Sequence, residues 1–206
     1  MKQHKIFLSI IALACTLVTV QAQQGVAKLT ASYNAGIPVG NFKENISGTS
    51  YRGFLVNVLY GVNDNLSVGL GGGFQDFYQK YPRQLYHLSD GSDMSAVLTY
   101  SIQIIPLLLQ GKYLFTPDAV VQPYAALGVG GNLISFNELY GEFGNAQTKF
   151  GFAARPEAGI YVPFRKGGEA GFSLGASYNI MPFKNGDFQN LNHIGVHAGV
   201  SIPMRR

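Results

Sequence analysis

Hydrophobic and polar residues alternate along most of this chain. In the first run, Ala27, Leu29, Ala31 and Tyr33 fall on every second position, with polar residues between them. A period of two puts the two sets on opposite faces of a β-strand. The same alternation returns in later runs, up to residues 193–202 near the end of the chain. Eight such runs predict eight strands.

The breaks between the runs are alternately long and short. This rhythm is typical of an antiparallel barrel in a membrane, where short turns lie at one end and longer loops at the other. An even number of strands then puts both chain ends on the short-turn side. The predicted long loops are 37–50, 77–95, 135–148 and 181–190, and the predicted short turns are 62–65, 116–119 and 164–168.

The composition of the two faces favours a lipid-facing barrel over a soluble one. A soluble lipocalin-like barrel would carry many Lys and Glu residues on its polar face, whereas here that face holds mainly Gly, Ser, Asn and Gln. Charged residues make up only 13% of the chain, against roughly 25% in ordinary soluble domains. No apolar stretch is long enough for a transmembrane helix, and a membrane protein without helices must be a closed barrel. We therefore predict an all-β, eight-stranded, antiparallel, up-and-down transmembrane β-barrel.

The N-terminus carries the features of an export signal. Lys2 and Lys5 precede an apolar run, and Val20-Gln21-Ala22 resembles a small-residue cleavage site. We expect a cleaved signal peptide at 1–22 and a barrel domain at 23–206, with the lipidation of Cys15 as a less favoured alternative. Without the two signal lysines, 13 basic residues face 11 acidic ones. A net charge of about +2 gives no reason to expect nucleic acid as a partner.

Six ionisable side chains are predicted to point into the lumen. An eight-stranded barrel has an interior that side chains can fill, and isolated charges are costly there, so we expect them to be paired. The favoured interpretation is a polar network that plugs the lumen, and the alternative is a gated or weakly anion-preferring path. The six residues are Lys28, Lys112, Arg155, Glu157, His193 and His197.

Neither a metal site nor a catalytic site emerges from these residues. His193 and His197 are four positions apart on one strand, roughly 13 Å, so a single metal ion cannot reach both without other ligands. Ser201 is again about 13 Å from His197, too far for nucleophile and base. We therefore expect no cofactor, no metal and no enzymatic activity.

Aromatic residues near the predicted strand ends suit the interfacial girdles of a membrane barrel. In the loops, tyrosines and phenylalanines such as Tyr81 and Phe136 stand among charged residues, which suits recognition of an extracellular protein or glycan. The favoured alternative is that these are solvated loops that pack on lipopolysaccharide head groups. Pro156 falls inside a strand, where we expect a bulge. The girdle candidates are Tyr51, Tyr60, Phe74, Phe77, Tyr113, Phe115, Phe164 and Tyr178.

Several segments resemble the small outer-membrane β-barrel proteins of Gram-negative bacteria, the OmpA/OmpX/OmpW-like, porin-like superfamily. The segments are Gly36-Ile37-Pro38-Val39-Gly40-Asn41-Phe42, Ile105-Pro106-Leu107 with Lys112-Tyr113, Gln122-Pro123-Tyr124 through Gly128-Val129-Gly130, and Pro156-Glu157-Ala158-Gly159-Ile160. The resemblance implies location in the outer membrane, contact with its lipid and lipopolysaccharide, and insertion by the barrel-assembly machinery. The family typically ends its last strand with an aromatic residue, whereas this chain ends Met204-Arg205-Arg206.

These observations leave three functional hypotheses in order of preference. The first is a structural or surface-interaction barrel with a lumen plugged mostly by polar side chains. The second is a narrow porin-like channel for small or apolar solutes, which Leu55, Leu59, Leu108 and Leu114 on inward faces would line. The third is an outer-membrane lipid-modifying enzyme.

Overall fold

The computed structural model describes residues 25–87, 93–140, 143–186 and 188–204. This part of the chain is almost entirely strand, with one short helix. No helix in it is long and apolar enough to cross a membrane. The elements are β1 (Ala27–Pro38), α1 (Asn41–Asn45), β2 (Gly53–Gly61), β3 (Leu66–Lys80), β4 (Gln84–His87), β5 (Asp93–Ala96), β6 (Leu98–Leu114), β7 (Gln122–Tyr140), β8 (Phe143–Pro163), β9 (Gly171–Asn179), β10 (Pro182–Asn185), β11 (Phe188–Asn190) and β12 (His193–Met204).

Eight of these strands close into an antiparallel barrel, as the alternating pattern predicted. Their order around the barrel is β1-β12-β9-β8-β7-β6-β3-β2. The first and last strands close the ring, with Ala27 paired to Met204 and Pro38 to His193. Closure removes the free strand edges that an open sheet would expose.

The two ends of the barrel differ as the sequence predicted, except at the second and third long loops. In the predicted loop 77–95, β3 stays paired with β6 as far as Lys80, and β4 pairs with β5. Short turns at 62–65, 115–121 and 164–170 join strands at one end, which we call the short-turn end; the opposite end is the long-loop end. The predicted loop 135–148 is wrong, because β7 and β8 stay paired as far as Tyr140 and Phe143. Two strands can stay paired through residues that are exposed to solvent. The sequence pattern did not distinguish such an extended strand pair from a loop.

One half of the barrel wall is therefore taller than the other. β3, β6, β7 and β8 continue towards the long-loop end well beyond the point where β9 and β2 stop pairing. On the lower side, the connection 39–52 contains α1, and the connection 180–192 contains the β10–β11 hairpin. These two connections fill the space beside the tall half of the wall.

The two faces of each strand have opposite character. Large apolar side chains on the outside are exposed, for example Leu107 at 66% and Leu109 at 71%. Polar and charged side chains on the inside are buried, including Asn57 and Arg155. This inversion of a soluble protein is expected where the outer surface contacts lipid.

The aromatic and proline predictions were partly wrong. Phe77 is fully buried inside the barrel and is no girdle residue, whereas Tyr51, Phe115 and Phe164 are exposed as predicted. No bulge forms at Pro156, since β7 and β8 keep a continuous register through it. Its missing N–H falls instead where the β8–β9 ladder is interrupted, between the Glu157–Ser177 pair and the bridge from Ala154 to Ile180.

Candidate functional site

Glu157 is the centre of a buried cluster in the lumen. Its Oε1 accepts a hydrogen bond of 2.9 Å from the Tyr124 hydroxyl. His197 Nε2 lies 3.3 Å from the same oxygen and 3.2 Å from the Tyr124 hydroxyl oxygen. The three residues come from β8, β7 and β12, so barrel closure brings them together. The alternation that placed Glu157 and His197 on inward faces did the same for Tyr124, but sequence reasoning did not include Tyr124 among the site residues.

Arg155 spans the lumen from β8 to the opposite wall. Its side chain is 1% exposed, and its Nη2 donates a hydrogen bond of 3.2 Å to Asn57 Oδ1 on β2. Its Nε lies 3.7 Å from Glu157 Oε2. β8 and β2 are four places apart in the ring of eight strands and so face each other. The predicted inward pair of Arg155 and Glu157 is therefore present and forms a bridge across the barrel.

Glycines on the inner face make room for these crossing side chains. A Cβ atom on Gly71 would lie 2.5 Å from Asn57 Oδ1 and 2.7 Å from Gln110 Oε1. On the other side of the cluster, a Cβ on Gly175 would lie 2.6 Å from the Tyr124 hydroxyl. All these distances are shorter than van der Waals contact allows, so no larger residue fits without movement of the network. At both positions the glycine therefore relieves crowding in the lumen.

A layer of amides lies next to the Arg155 bridge on the side of the long-loop end. Asn34 Nδ2 donates 2.8 Å to Gln75 Oε1, and Gln75 Nε2 donates 2.7 Å to Ser50 Oγ. Ser50 Oγ in turn donates to the backbone oxygen of Asp76. These bonds tie β1, β3 and the connection 39–52 together across the lumen.

His193 does not join the cluster around Glu157. Its Nδ1 lies 3.0 Å from the backbone oxygen of Leu191, and its ring packs edge-on against Phe77 with centroids 5.0 Å apart. It lies at the long-loop end, paired with Pro38. The candidate set thus separates into Arg155, Glu157 and His197, which meet, and His193, which does not.

Lys28 and Lys112 occupy the opposite side of the cluster, near the short-turn end. The Lys112 ammonium lies 3.8 Å from the ring centroid of Tyr124 and 5.4 Å from that of Tyr161. The Lys28 ammonium lies 5.8 Å from the Tyr161 centroid. Both lysines point inward as predicted, but they contact aromatic rings rather than carboxylates.

The long-loop half of the lumen holds an apolar cluster that the sequence analysis missed. Phe188 from the β10–β11 hairpin has ring contacts with Phe42 of α1, Tyr100 of β6 and Phe136 of β7. We call the whole cluster the outer cap. Its buried members are Phe42, Ile46, Phe77, Leu98, Tyr100, Ile102, Ile104, Leu108, Ile134, Phe136, Ala153, Met181, Phe183, Phe188 and Leu191.

The outer cap changes the interpretation of the loops. Phe136 was predicted to lie in an exposed loop and is 4% exposed inside the cap. Tyr81 packs against the cap, and its hydroxyl donates to the backbone oxygen of Asn45. Phe42 and Ile46 are one helical turn apart, and Phe77 has the inward parity of Gln75. These signals could have marked the three residues as buried, but not their packing partners. Parts of the predicted loops, residues 88–92, 141–142 and 187, lie outside the described residues.

The described residues bring together neither a metal site nor a nucleophile with a base. No group of three or more His, Cys, Asp or Glu side chains in that part of the chain could hold a metal ion. Ser201 Oγ is bonded to Thr30 Oγ1 at 2.6 Å, and His197 is occupied by Glu157 and Tyr124.

Comparison with known proteins agrees with this architecture. The sequence model of the family described as outer membrane protein beta-barrel domain matches residues 10–201. The chain belongs to this family. Membership implies location in the outer membrane, and the outward apolar surface of the barrel is consistent with that environment. No curated protein matches the sequence.

Solved structures of outer-membrane barrels resemble this fold at low sequence identity. Neisserial surface protein A has 14% identity and a TM-score of 0.51, and the match covers 87% of this chain and 97% of that one. The N-terminal β-barrel domain of Pseudomonas aeruginosa OprF has 16% identity, a TM-score of 0.44, and coverage of 87% and 100%. Yersinia pestis Ail, in complex with the heparin analogue sucrose octasulfate, has 13% identity, a TM-score of 0.43, and coverage of 87% and 96%. The likeness to the neisserial protein shows a shared fold.

Proposed function

We propose that this protein is an integral outer-membrane barrel with a lumen closed to ions and with a structural or surface-interaction role. The observation that supports this most is the Arg155 side chain, which reaches from β8 to Asn57 on the opposite wall. A guanidinium held at both sides of the barrel lies across the path that a hydrated ion would need.

The lumen has a second closure above this bridge. The outer cap fills the long-loop half with apolar side chains, where a hydrated ion would lose its water without gaining ligands. The closure therefore combines a polar half and an apolar half, which corrects the sequence prediction of a mostly polar plug. Loss of either half alone should leave the other in place.

The orientation follows from the lengths of the connections. Short turns are periplasmic and longer loops extracellular in barrels of this kind, so the outer cap and the tall half of the wall face outside the cell. Because the connections 39–52 and 180–192 fold inward, the tall wall is the surface left for an extracellular ligand. Lipopolysaccharide around the barrel, assembly by the insertion machinery and export by the signal peptide at 1–22 belong to the same proposal.

We further propose that the barrel is not an enzyme and needs no cofactor. His197 has a carboxylate partner in Glu157, but the hydroxyl that it contacts is the Tyr124 phenol, and both lie deep in the lumen. A lipid-modifying enzyme would need its catalytic groups at an opening to the membrane. The sealed position of this cluster is better explained by pairing of buried charges.

The second candidate is the narrow channel for small or apolar solutes. Leu55, Leu59 and Leu108 are buried on the inner face as predicted, and Leu108 is part of the outer cap. An apolar solute could then take the place of side chains of the outer cap beside these leucines. Leu114 is only partly buried and packs against a small cluster formed by Tyr124, Ala126 and Tyr161.

Ion conductance separates the two candidates. Residues 23–206, refolded in detergent, would be inserted into a planar bilayer, with folding verified by the shift in gel mobility between unheated and heated samples. We expect inserted barrels to give no discrete conductance steps. Reproducible steps that scale with the amount of inserted barrel would overturn the closed-lumen proposal and favour the channel.

A further inference from the structure

A small cavity lies between the tall half of the wall and the β10–β11 hairpin. Its volume is about 170 Å³. The wall lines it with Tyr100, Phe136, Glu138 and Gln147. Tyr100 pairs with Glu138 across β6 and β7, and Phe136 pairs with Gln147 across β7 and β8. Directly opposed residues of paired strands share a face of the sheet, so all four side chains lie on the inner face of the wall.

The hairpin closes the other side of this cavity. Phe188 packs against both aromatic rings of the wall, with its ring centroid 5.3 Å from that of Tyr100 and 5.1 Å from that of Phe136. Asn185 and Gly186 also line the cavity. Asn185 and Phe188 are strand partners, and the turn between them includes Gly186 at a φ of +53°, a conformation that favours glycine.

Three aromatic rings form one corner of the cavity. The planes of Tyr100, Phe136 and Phe188 stand at 49° to 82° to one another, and rings in such an arrangement can surround a bound group from several sides. Each ring is between 2% and 8% exposed. Packing within the outer cap therefore fixes the rings, and little side-chain freedom is lost when a ligand binds.

The lining of the cavity carries a negative charge. Among the described residues that line it, Glu138 supplies a carboxylate and no side chain is basic. The Tyr100 hydroxyl donates a hydrogen bond of 3.2 Å to Glu138 Oε1, which places the carboxylate beside the rings. Lys149 is a neighbour of the cavity and not a lining residue, and its ammonium donates to Asn185 Oδ1 and to the backbone oxygen of Lys184. The cavity thus combines aromatic rings, whose faces attract cations, with a carboxylate.

We propose that this cavity, which we call the aromatic pocket, binds a quaternary ammonium group such as that of choline. Proteins recognise quaternary ammonium ligands with several aromatic rings around the cation, and Glu138 adds a full negative charge. The volume is about half of the lower limit for small-molecule sites, so the aromatic pocket takes a head group and not a drug-sized ligand. A sugar would need an open ring face to stack on, which these nearly buried rings do not offer.

The inference deepens the surface-interaction role proposed above by naming a ligand class. It rests on that proposal in one respect, namely that the long-loop end faces outside the cell. Binding to the aromatic pocket does not depend on whether the lumen conducts ions, so the two proposals can fail separately.

Calorimetric titration of the folded barrel with choline tests this inference. The barrel would be held in a maltoside detergent, because that head group carries neither an ammonium nor a phosphate group. We expect saturable binding of choline to the wild type. The neutral alcohol 3,3-dimethylbutan-1-ol has the shape of choline without its charge, and should bind roughly tenfold more weakly or not at all.

Matched variants separate the aromatic pocket from the rest of the protein. Glu138→Gln removes the charge, and Phe188→Leu removes a ring but keeps apolar bulk, so each should raise the dissociation constant for choline roughly fivefold or more. Glu169→Gln removes the same charge at the short-turn end, and Phe183→Leu removes a ring of the outer cap that does not line the aromatic pocket. Both controls should bind choline as the wild type does, and gel mobility verifies the folding of each variant.

Three results would overturn the inference: no saturable binding of choline to the folded wild type, equal affinity for choline and the neutral alcohol, or an equal loss of affinity in Glu138→Gln and Glu169→Gln. None of these results bears on the conductance of the barrel. Competition by phosphocholine identifies the source of the ligand. If phosphocholine displaces choline, a phosphocholine head group of a lipid is supported; if it does not, a free quaternary amine is supported.

Discussion

The two halves of the lumen are filled in different ways. Towards the short-turn end, side chains from the strands themselves cross the barrel and form directional bonds, as Arg155 does with Asn57. Towards the long-loop end, connections between strands fold inward and pack apolar rings against the tall wall, as Phe188 does with Phe136. The polar half is thus fixed by strand register, whereas the outer cap depends in part on the connections between strands.

This difference predicts different consequences of losing a contact. In the polar half, removal of one partner leaves a buried charge or donor without a bonding partner, and this lowers the free energy of unfolding of the whole barrel. In the outer cap, removal of a ring loses apolar contact and leaves a cavity. The connections can then move away from the wall while the barrel stays closed. Global unfolding should report on the first half and local opening on the second.

The largest expected effect is the loss of the Glu157 carboxylate. Glu157→Ala leaves Arg155 buried without its carboxylate, so we expect the free energy of unfolding to fall by about 3–5 kcal/mol. Urea unfolding of the refolded barrel measures it. Asp118→Ala, on an exposed turn, is the matched control and should change stability by less than about 0.5 kcal/mol.

Replacing both charges separates pairing from packing. In Arg155→Leu combined with Glu157→Leu no unpaired charge remains, and most of the lost stability should return, as is found for other buried ion pairs. If the double variant were as unstable as Glu157→Ala alone, the unpaired charge of Arg155 would not be the cause of the lost stability.

The second effect concerns the outer cap. Phe188→Ala removes a ring that contacts Phe42, Tyr100 and Phe136, and should lower the free energy of local opening of residues 180–192 by about 3 kcal/mol. Hydrogen exchange or limited proteolysis of that segment measures it. The midpoint of global unfolding should move much less. If global unfolding changed as strongly as it does in Glu157→Ala, the two halves would not differ in the way described. Phe164→Ala, which removes an exposed ring, should change neither quantity.

A third, smaller effect tests how tightly the polar half is filled. Gly71→Ala places a methyl group against Asn57 and Gln110 and should destabilise the barrel by about 1–3 kcal/mol. Gly111→Ala is the matched control, since a Cβ there would meet no atom within 4 Å. Equal stability of the two variants in urea unfolding would mean that the network can move aside.

The smallest effect is expected for an ion pair outside the lumen. Arg52 Nη1 lies 3.3 Å from Asp76 Oδ2, and the Arg52 side chain is 70% exposed. Arg52→Ala should cost no more than about 1 kcal/mol, because solvent screens such pairs. A loss as large as that of Glu157→Ala, in the same unfolding assay, would contradict the contrast between buried and exposed charges.

The strands and the polar half could be predicted because they depend on local alternation. A period of two places Arg155, Glu157 and His197 inward. The lumen of a closed eight-stranded barrel is narrow, so these side chains must lie close together. Tyr124 had the same parity, but tyrosines were considered mainly as girdle and loop residues. That Lys28 and Lys112 contact aromatic rings rather than carboxylates depends on distances across the lumen, which alternation does not give.

The outer cap could not be predicted in the same way. Phe42 and Phe188 are far apart in the sequence and lie in stretches rich in polar residues, so nothing local indicates that their rings meet. The extension of β7 and β8 through the predicted loop 135–148 had a similar cause, because pairing partners decide where a strand ends. Tertiary contacts overrode the local pattern at both places.

Conductance of a variant series tests the central claim, that two independent fillings close the lumen. One variant opens the polar half with Arg155→Ala and Glu157→Ala together, a second opens the outer cap with Phe42→Ala and Phe188→Ala, and a third combines all four changes. We predict silent bilayers for the wild type and for each half-opened variant, and discrete conductance steps for the combined one. Steps from the wild type, or from the variant that opens only the polar half, would contradict the account.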